Sequence, residues 1–252
     1  INNLKAIGDI AHARAIPFHS DFVQIFGKYR INLPEHNIDA ISASFHKLYG
    51  PKGSGILVIN NDLITGYDLT GQISGTQEFG LRGGTENVAA IAGSIAALKC
   101  AFTNRAAKNA KLFTQREYLL TKLGSKFSVR TYREYLMEAA AQPRSTAKSK
   151  KSEAYLVILG PDGGPTGKPL RVAGASQLPR VLPNTLMIAV IKSAGPKFCN
   201  VKLKAALEKN HIVISIGSAC NTASKDASHV LDSIKASDEI KSGAIRISLC
   251  DT

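Results

Sequence analysis

Residues 44–55 read Ser-Phe-His-Lys-Leu-Tyr-Gly-Pro-Lys-Gly-Ser-Gly. They follow an alternating apolar run that includes Ile41 and Ala43, and they are rich in glycine and proline, so a strand is expected to end here and a loop to begin. Lys47 therefore lies where a sheet offers side chains to a ligand.

Lys47 is the first candidate for a catalytic residue. A lysine in a partly desolvated pocket beside positive charge can lose its proton near neutral pH and form a Schiff base with a carbonyl. The alternative is a solvated loop lysine, which is the ordinary state of most of the 32 Lys and Arg residues. Ser44 and His46 add a hydroxyl and an imidazole that suit the phosphate of a phosphorylated aldehyde, and such an aldehyde is pyridoxal phosphate.

Five motifs carry a resemblance to a known family. In chain order they are His-Ser-Asp-Phe-Val-Gln (19–24), Ser-Phe-His-Lys with Tyr-Gly-Pro-Lys-Gly (44–53), Arg-Gly-Gly-Thr-Glu-Asn (82–87), Ser-Ile-Gly-Ser-Ala-Cys (215–220) and Ile-Arg-Ile-Ser-Leu (245–249). Taken together, the chain resembles the NifS-type cysteine desulfurases of the class V aminotransferase group. The divergent, basic sequence between the motifs favours a virus-encoded member.

The resemblance implies an α/β protein of the aspartate-aminotransferase type. We expect the C-terminal part of a large cofactor-binding domain over residues 1–124 and a smaller α+β domain over residues 125–252. A helix capped by Asn2 or Asn3, followed by strands at 17–21, 40–46 and 56–60, predicts a mostly parallel sheet in the large domain. In such sheets ligands collect at the carboxyl ends of strands.

Two further residues are expected to hold the cofactor ring. A carboxylate facing the pyridine nitrogen keeps it protonated and makes the ring an electron sink, and the resemblance assigns this role to Asp21. The alternative for Asp21 is a turn or cap aspartate. Gln24 resembles the glutamine that bonds the phenolic oxygen of the cofactor. His19 is left unassigned, because a strand histidine is more often structural.

The segment from Gly66 to Gly84 is long enough to line a site. Thr85 then opens a helix whose apolar face is expected to carry Val88, Ile91, Ile95, Leu98 and Phe102. By composition Thr85 is an N-cap. The resemblance implies that it also reaches across a homodimer interface to the cofactor phosphate of the other subunit.

A second helix is expected over residues 105–123, with leucines inward and Lys108, Lys111, Arg116 and Lys122 on a solvated basic face. Residues 139–183 depart most from the family and are interpreted as a basic insertion. A mobile loop is the simpler interpretation of this segment, and a docking site for a partner or an anionic surface is the alternative.

Cys220 ends a run of small residues within a loop at 215–224. Without the family, a buried core thiol is the better interpretation. The resemblance makes Cys220 the nucleophile that takes the substrate sulfur as a persulfide. On the last predicted strand Arg246 points away from Ile245 and Ile247, and it resembles the arginine that clamps the substrate α-carboxylate.

The function implied is cysteine desulfuration: L-cysteine becomes L-alanine, and the sulfur passes to an acceptor or scaffold protein for iron-sulfur or thio-cofactor assembly. One alternative is a selenocysteine lyase or another pyridoxal phosphate lyase or aminotransferase of this fold. The other is a degenerate member that serves as a basic binding protein. Cys250 and Asp251 replace the family's usual Gly-Arg after the arginine strand. The family's phosphate loop and ring-stacking histidine have no counterpart in these residues, so we expect the 252-residue chain alone to bind cofactor poorly.

Bulk properties narrow the class of protein. A hydrophobic content of 44% over 252 residues indicates a globular protein with a sizeable core. Four scattered cysteines argue against a disulfide framework or a structural metal site and favour a reducing compartment, the cytoplasm or a mitochondrion. The net charge of +13 would attract anions, but it is interpreted as spread along the chain without a nucleic-acid motif, which argues against specific nucleic-acid binding. No membrane span is expected.

Overall fold

The structure is a computed structural model that describes residues 2–67, 69–141, 154–160, 181–193, 195–216 and 229–250. The chain divides into two compact units, Ile1–Ala107 and Lys108–Thr252. The sequence predicted a division after residue 124, at the end of a helix. Most of that helix belongs with the second unit because Leu120 is buried in that unit's core.

The first unit contains a three-stranded sheet and three helices. Its elements are α1 (Leu4–His12), β1 (His19–Asp21), β2 (Ala40–Ser44), β3 (Gly55–Ile59), α2 (Asn61–Gly66) and α3 (Val88–Phe102), with 3₁₀ turns at Pro34–His36, Phe45–Leu48 and Glu78–Gly80. The Asn3 side chain accepts a hydrogen bond from Ala6 N, which confirms the predicted cap of α1.

β2 is the central strand of this sheet. β1 pairs with it in parallel, with His19 beside Ala40 and Asp21 beside Ser42, and β3 pairs with it antiparallel on the other side. The described sheet therefore has one parallel and one antiparallel pair, where the sequence predicted mostly parallel strands. The antiparallel pair arises because a turn, and not a crossover helix, joins β2 to β3.

β2 ends at Ser44, earlier than the predicted limit of residue 46, because Phe45–Leu48 forms a 3₁₀ turn. Tyr49 follows in the left-handed region with φ of 64°. Gly50 N then donates to Phe45 O at 3.0 Å. The chain therefore reverses directly after Lys47, and the turn holds this lysine at the carboxyl end of β2.

Helix α3 packs through small residues. A Cβ added at Gly93 would lie 2.8 Å from Pro51 Cγ, and Ser94 is buried. The face predicted to be buried is instead exposed at four of its five positions, Val88, Ile91, Ile95 and Phe102. The prediction was wrong because the close approach of α3 to the turn after Lys47 requires small side chains at the contact, whatever the hydrophobicity of the larger ones.

The start of α3 also differs from the prediction. The helix begins at Val88, and its N-cap is Asn87, whose side chain accepts a hydrogen bond from Ala90 N at 3.1 Å. Thr85 lies before this cap. An asparagine is a stronger cap than a threonine, which explains why the chain enters the helix later than expected.

The second unit contains a four-stranded sheet in the order β4-β5-β6-β7. Its elements are α4 (Arg105–Gly124), β4 (Ser128–Thr131), α5 (Tyr132–Ala141), β5 (Ala154–Ile158), β6 (Thr185–Lys192), α6 (Asn200–Glu208), α7 (His229–Ser233), α8 (Asp238–Gly243) and β7 (Ala244–Ser248). The β4-β5 pair is parallel and the other two are antiparallel. No described helix is both long and apolar enough to span a membrane.

The β6 strand separates two apolar clusters, one on each face of this sheet. Leu186, Ile188 and Val190 belong to the first cluster, which α4 and α6 cover. Ala189 and Ile191 belong to the second cluster, which α7 and α8 cover. Each face of the sheet thus has its own helical layer.

Part of the predicted insertion is core structure. Ala154–Ile158 forms β5, an internal strand between β4 and β6 in which Leu156, Val157 and Ile158 are buried. The insertion hypothesis is therefore wrong for these residues. The sequence did not reveal the strand, because a short apolar strand is easily obscured by basic and glycine-rich neighbours. Residues 142–153 and 161–180 lie outside the described residues.

Arg116 does not lie on the basic outer face of α4. It is only 2% exposed, and its Nη1 donates to Glu117 Oε1 at 2.9 Å. Its position midway between the buried residues Leu112 and Leu120 puts it on the apolar side of the helix. The prediction that Arg116 shares an outer face with Lys108, Lys111 and Lys122 was therefore wrong, because it overlooked the four-residue spacing from Arg116 to both buried leucines.

Candidate active site

Lys47 is half-buried within the 3₁₀ turn that follows β2. Its neighbours Phe45 and Leu48 are buried and anchor the turn in the core. Phe45 also meets Phe26 edge-on, with ring centroids 6.2 Å apart. A turn anchored on both sides of Lys47 restricts the lysine more than a solvated loop would.

Ser44 and His46 form a pair beside Lys47. The Ser44 hydroxyl and His46 Nδ1 lie 2.5 Å apart. When the hydroxyl donates this hydrogen bond, the imidazole proton resides on Nε2, which is then a donor. His46 is exposed, so this donor is available to an anionic ligand.

Asp21 is the last residue of β1. Its Oδ1 accepts a hydrogen bond from Val23 N at 2.7 Å, an Asx turn that directs the chain away from the strand. Its Oδ2 has no hydrogen-bond partner among the described residues, and the side chain is exposed. Gln24 follows this turn and is also exposed. A carboxylate oxygen and an amide are thus presented together at the end of β1.

The two parallel strands bring these groups to one edge of the sheet. The side chains of His19 and Ser42 meet across β1 and β2, with Nε2 and Oγ 3.1 Å apart. Alternation therefore places Asp21 on the same face as Ser42 and Ser44. The carboxyl ends of β1 and β2 then juxtapose Asp21 with the turn that holds Lys47.

The sequence interpretation missed the polar strip that runs behind this edge. It left His19 unassigned and did not single out Ser42, although Ser42 and Ser44 alternate with Ile41 and Ala43. That alternation in a strand with one buried face was the available signal.

Thr85 follows a tightly built glycine pair. A Cβ at Gly83 would lie 2.0 Å from Ser74 O, and Gly84 has φ of +100°, so both positions require glycine. The backbone is thereby fixed just before Thr85, which is exposed. Among the described residues, no hydrogen bond joins Thr85 to the turn around Lys47.

Arg246 belongs to the second unit, on β7. Its backbone N and O pair with Ser215 at 2.7 and 3.0 Å, and it lies opposite Met187 of β6. Ile245 packs in the first apolar cluster, so the Arg246 side chain projects from the other face of the sheet. It is half-buried and makes no ion pair with a described residue, so its guanidinium is available to a carboxylate.

Cys220 lies outside the described residues, within the gap at 217–228. Ser215 and Ile216, at the start of the predicted cysteine loop, are described. Ile216 packs against the first apolar cluster of the second unit. The role of Cys220 stays a prediction.

The groups at the edge of the first sheet fit pyridoxal phosphate. Lys47 could supply a primary amine for the aldehyde, Asp21 a free carboxylate oxygen for the ring nitrogen, and the Ser44–His46 pair a donor, His46 Nε2, for the phosphate. Among the described residues, no group of three His, Cys, Asp or Glu side chains is placed to hold a metal ion.

Comparison with known proteins identifies the family. The model of class-V aminotransferases matches residues 1–152, which is more than half of the chain. The chain belongs to the class-V aminotransferase family. Members of this family depend on pyridoxal phosphate.

Curated relatives of this class-V aminotransferase chain include cysteine desulfurases. Cysteine desulfurase IscS of Clostridium botulinum (strain Hall) is 32% identical over 249 residues, which cover 99% of this chain and 51% of that protein. IscS of Dictyoglomus turgidum is 28% identical over 249 residues and is covered to 50%. The chain thus spans about half the length of the curated relatives it matches.

Solved structures support the same fold. A NifS-like protein from Rickettsia africae matches 99% of this chain with a TM-score of 0.63 and 26% identity, and 52% of that protein is covered. Another NifS-like protein matches 100% of this chain with a TM-score of 0.65 and 27% identity, again with 52% covered. The predicted fold class, the α/β fold of NifS-like pyridoxal phosphate enzymes, is confirmed.

Proposed function

We propose that the full-length protein is a pyridoxal phosphate-dependent cysteine desulfurase that converts L-cysteine to L-alanine and carries the sulfur on Cys220. The supporting observation is the pairing of β1 with β2, which brings the free carboxylate oxygen of Asp21 to the same sheet edge as Lys47. The names of the curated relatives support the choice of reaction.

The first unit would hold the cofactor. Lys47 would supply the amine for the cofactor aldehyde, Asp21 would pair with the protonated ring nitrogen, and Gln24 would bond the phenolic oxygen. His46 Nε2, with its tautomer set by Ser44, would donate to the phosphate. When bound, pyridoxal phosphate supplies an electron sink for the bonds that change at the substrate α-carbon. Lys47 would also be the base that moves the α-proton of the substrate.

The second unit would hold the substrate and take its sulfur. Arg246 binds the α-carboxylate in a two-pronged, charge-assisted hydrogen bond. The Cys220 thiolate attacks the substrate sulfur, the carbon–sulfur bond breaks, and a proton replaces the sulfur on the β-carbon. The products are alanine and a persulfide on Cys220, and the persulfide then passes to an acceptor or scaffold protein.

Two features of the whole protein follow from this function. Thr85 is proposed to reach the cofactor phosphate of a second copy, which makes the enzyme a homodimer. The Cys220 nucleophile must be a reduced thiolate, so we place the protein in a reducing compartment, the cytoplasm being the simplest.

The test is the absorption spectrum of the full-length protein with pyridoxal phosphate, before and after L-cysteine is added. The visible band of lysine-bound cofactor is expected in the wild type and in Lys52→Ala, which removes an exposed lysine from the next turn, but not in Lys47→Ala. Alanine production is expected to survive Cys199→Ala, the loss of another exposed thiol, and to stop in Cys220→Ala.

Other outcomes separate the alternatives. A band that responds to selenocysteine, with alanine production independent of Cys220, would indicate a lyase. A band in Lys47→Ala equal to that of the wild type would contradict the assignment of Lys47.

Asp21→Asn keeps an acceptor for Val23 N while removing the charge, so it is expected to preserve the turn and to abolish turnover.

A further inference from the structure

The positive charge of the protein lies almost entirely in the second unit. Residues 1–107 contain nine Lys or Arg and eight Asp or Glu, whereas residues 108–252 contain 23 and 11. The prediction that the charge is spread along the chain is therefore wrong. The asymmetry points to a partner of the second unit.

Within this unit, the charge differs between the two helical layers. Residues 108–126 and 197–209, which hold α4 from residue 108 onward and α6 over the first apolar cluster, contain nine Lys or Arg and two acids. Residues 132–141 and 229–243, which hold α5, α7 and α8 on the other face, contain three Lys or Arg and five acids. The basic layer, defined here as α4 and α6 with their flanking residues, is one side of the unit.

Several lysines of the basic layer are not neutralised by neighbours. Lys126, Lys202 and Lys209 are exposed and make no ion pair with a described residue. Lys204 is paired only with Glu208, at 3.4 Å, and Lys197 with Asp238 at the boundary of the other layer. Much of the field of this surface is therefore directed to solvent.

The basic layer also presents apolar surface. Helical spacing places Lys111, Tyr118 and Lys122 on one side of α4, and Lys122 Nζ lies 5.3 Å from the centroid of the Tyr118 ring. Tyr118 is 64% exposed, and Val201 on α6 is 58% exposed. An exposed aromatic and an exposed aliphatic side chain give this surface apolar area of the kind that interfaces bury at their centre, with the lysines as a polar rim.

We propose that the basic layer docks an acidic protein surface, and that this partner is the thiol-bearing sulfur acceptor; the second clause rests on the proposed function. Ile216, the last described residue before the segment with Cys220, packs in the same cluster that α4 and α6 cover. A partner on this layer is thus held near the cluster that contains Ile216, four residues before Cys220 in the sequence. Apart from the buried Arg116, the cations in residues 108–126 and 197–209 are lysines, which act as point charges toward carboxylates and do not offer the paired guanidinium contacts that read base edges, so an acidic protein surface is favoured over nucleic acid.

The test measures binding apart from turnover. The full-length protein is titrated with a fluorescein-labelled glutamate-rich peptide that carries one cysteine, with its glutamine-for-glutamate counterpart, and with an RNA duplex, at low and at physiological salt. One variant, Lys122→Glu with Lys202→Glu, reverses two charges of the basic layer. The matched control, Arg133→Glu with Lys235→Glu, makes the same net change among exposed residues of the opposite layer.

The glutamate-rich peptide is expected to bind the wild type and the control alike and the basic-layer variant roughly tenfold more weakly at low salt, with the difference shrinking as salt is added. Sulfur transfer to the peptide should fall with binding, while alanine production measured with excess dithiothreitol, which discharges the Cys220 persulfide as sulfide, stays unchanged. Equal loss in the control, equal binding of the glutamine peptide, or tighter binding of the RNA duplex would overturn the proposal. Absence of alanine production in the wild type would instead refute the proposed function, while the titration would still decide the docking surface.

Discussion

The Oγ atoms of Ser54 and Ser94 lie 2.8 Å apart. Ser54 belongs to the turn that follows Lys47, and Ser94 is a buried residue of α3. Ser54 also donates to Pro51 O at 3.3 Å, which leaves Ser94 as the donor to Ser54. This bond joins α3 to the turn through which the chain leaves the candidate site, so the turn is held from both sides.

Ser94→Ala is expected to lower the free energy of unfolding by about 1 kcal/mol, because it leaves the half-buried Ser54 oxygen without its donor. Urea unfolding of the single variants Ser94→Ala and Ser54→Ala and of the double variant measures the coupling. The double variant should cost less than the two single variants added together. Ser128→Ala, on the exposed first residue of β4, is the control and should change stability by less than about 0.5 kcal/mol. Strict additivity at Ser54 and Ser94 would mean that the bond contributes nothing.

The sequence allowed the strand end before Lys47 to be located, because its signals are local. Apolar and polar residues alternate up to Ala43, and glycine and proline follow. This pattern marks the end of a strand whatever the position of that strand in the sheet, and Lys47 lies in the turn directly after the strand. The Asn3 cap was predictable for the same reason.

Features that depend on distant contacts were not predictable in this way. The large residues of α3 are as hydrophobic as those of a buried helix face. Only the approach of Pro51 to Gly93 decides that the face with small side chains is the one that packs against the rest of the unit. Arg116 is buried for a similar reason, since its helix packs Leu120 against the sheet. β5 could not be separated from its basic surroundings without knowledge of the strands on either side of it.

The N-terminus of α5 carries a capping box. Glu134 Oε2 accepts hydrogen bonds from Thr131 N at 2.7 Å and Thr131 Oγ1 at 3.0 Å, and Glu134 N donates to Thr131 Oγ1 at 3.1 Å. Thr131→Ala is expected to cost about 1 kcal/mol of stability. Thr131→Ser keeps the hydroxyl and is the matched control, so a loss as large as that of the alanine variant would contradict the cap.

The same hydrogen bonds make the free energy of unfolding depend on pH. The hydrogen bonds from Thr131 N and Oγ1 hold the pKa of Glu134 below its ordinary value of 4.5. A carboxyl group with a lowered folded-state pKa stabilises the protein fully above its unfolded-state pKa, and this contribution is lost as the pH falls through the folded-state value. Glu134→Gln should therefore be less stable than the wild type at neutral pH, and the difference should narrow in acid. Urea unfolding across this pH range measures it, and a constant difference would contradict the argument.

Gly243 lies where α8 meets β6. A Cβ at this position would be 2.1 Å from Val190 O, a backbone atom that cannot rotate away. Gly243→Ala is expected to destabilise the protein by about 3 kcal/mol through overpacking. Gly124→Ala, where the nearest atom is Val129 Cγ2 at 3.8 Å, is the control and should be tolerated. Denaturation midpoints compare the two, and equal midpoints would show that α8 can shift without cost.

Arg246 is held by β-pairing on both sides, to Met187 of β6 and to Ser215. If it clamps the substrate α-carboxylate, Arg246→Gln should raise KM for L-cysteine about a hundredfold, because a charge-assisted pair of hydrogen bonds contributes about 3 kcal/mol. Arg246→Lys keeps the charge but not the two-pronged geometry, so its KM should lie between those of the wild type and Arg246→Gln. The visible band of the bound cofactor should be unchanged in both variants, since binding the substrate carboxylate is separate from binding the ring. Loss of that band in Arg246→Lys would assign Arg246 to the structure of the cofactor site, and an unchanged KM in Arg246→Gln would remove it from substrate binding.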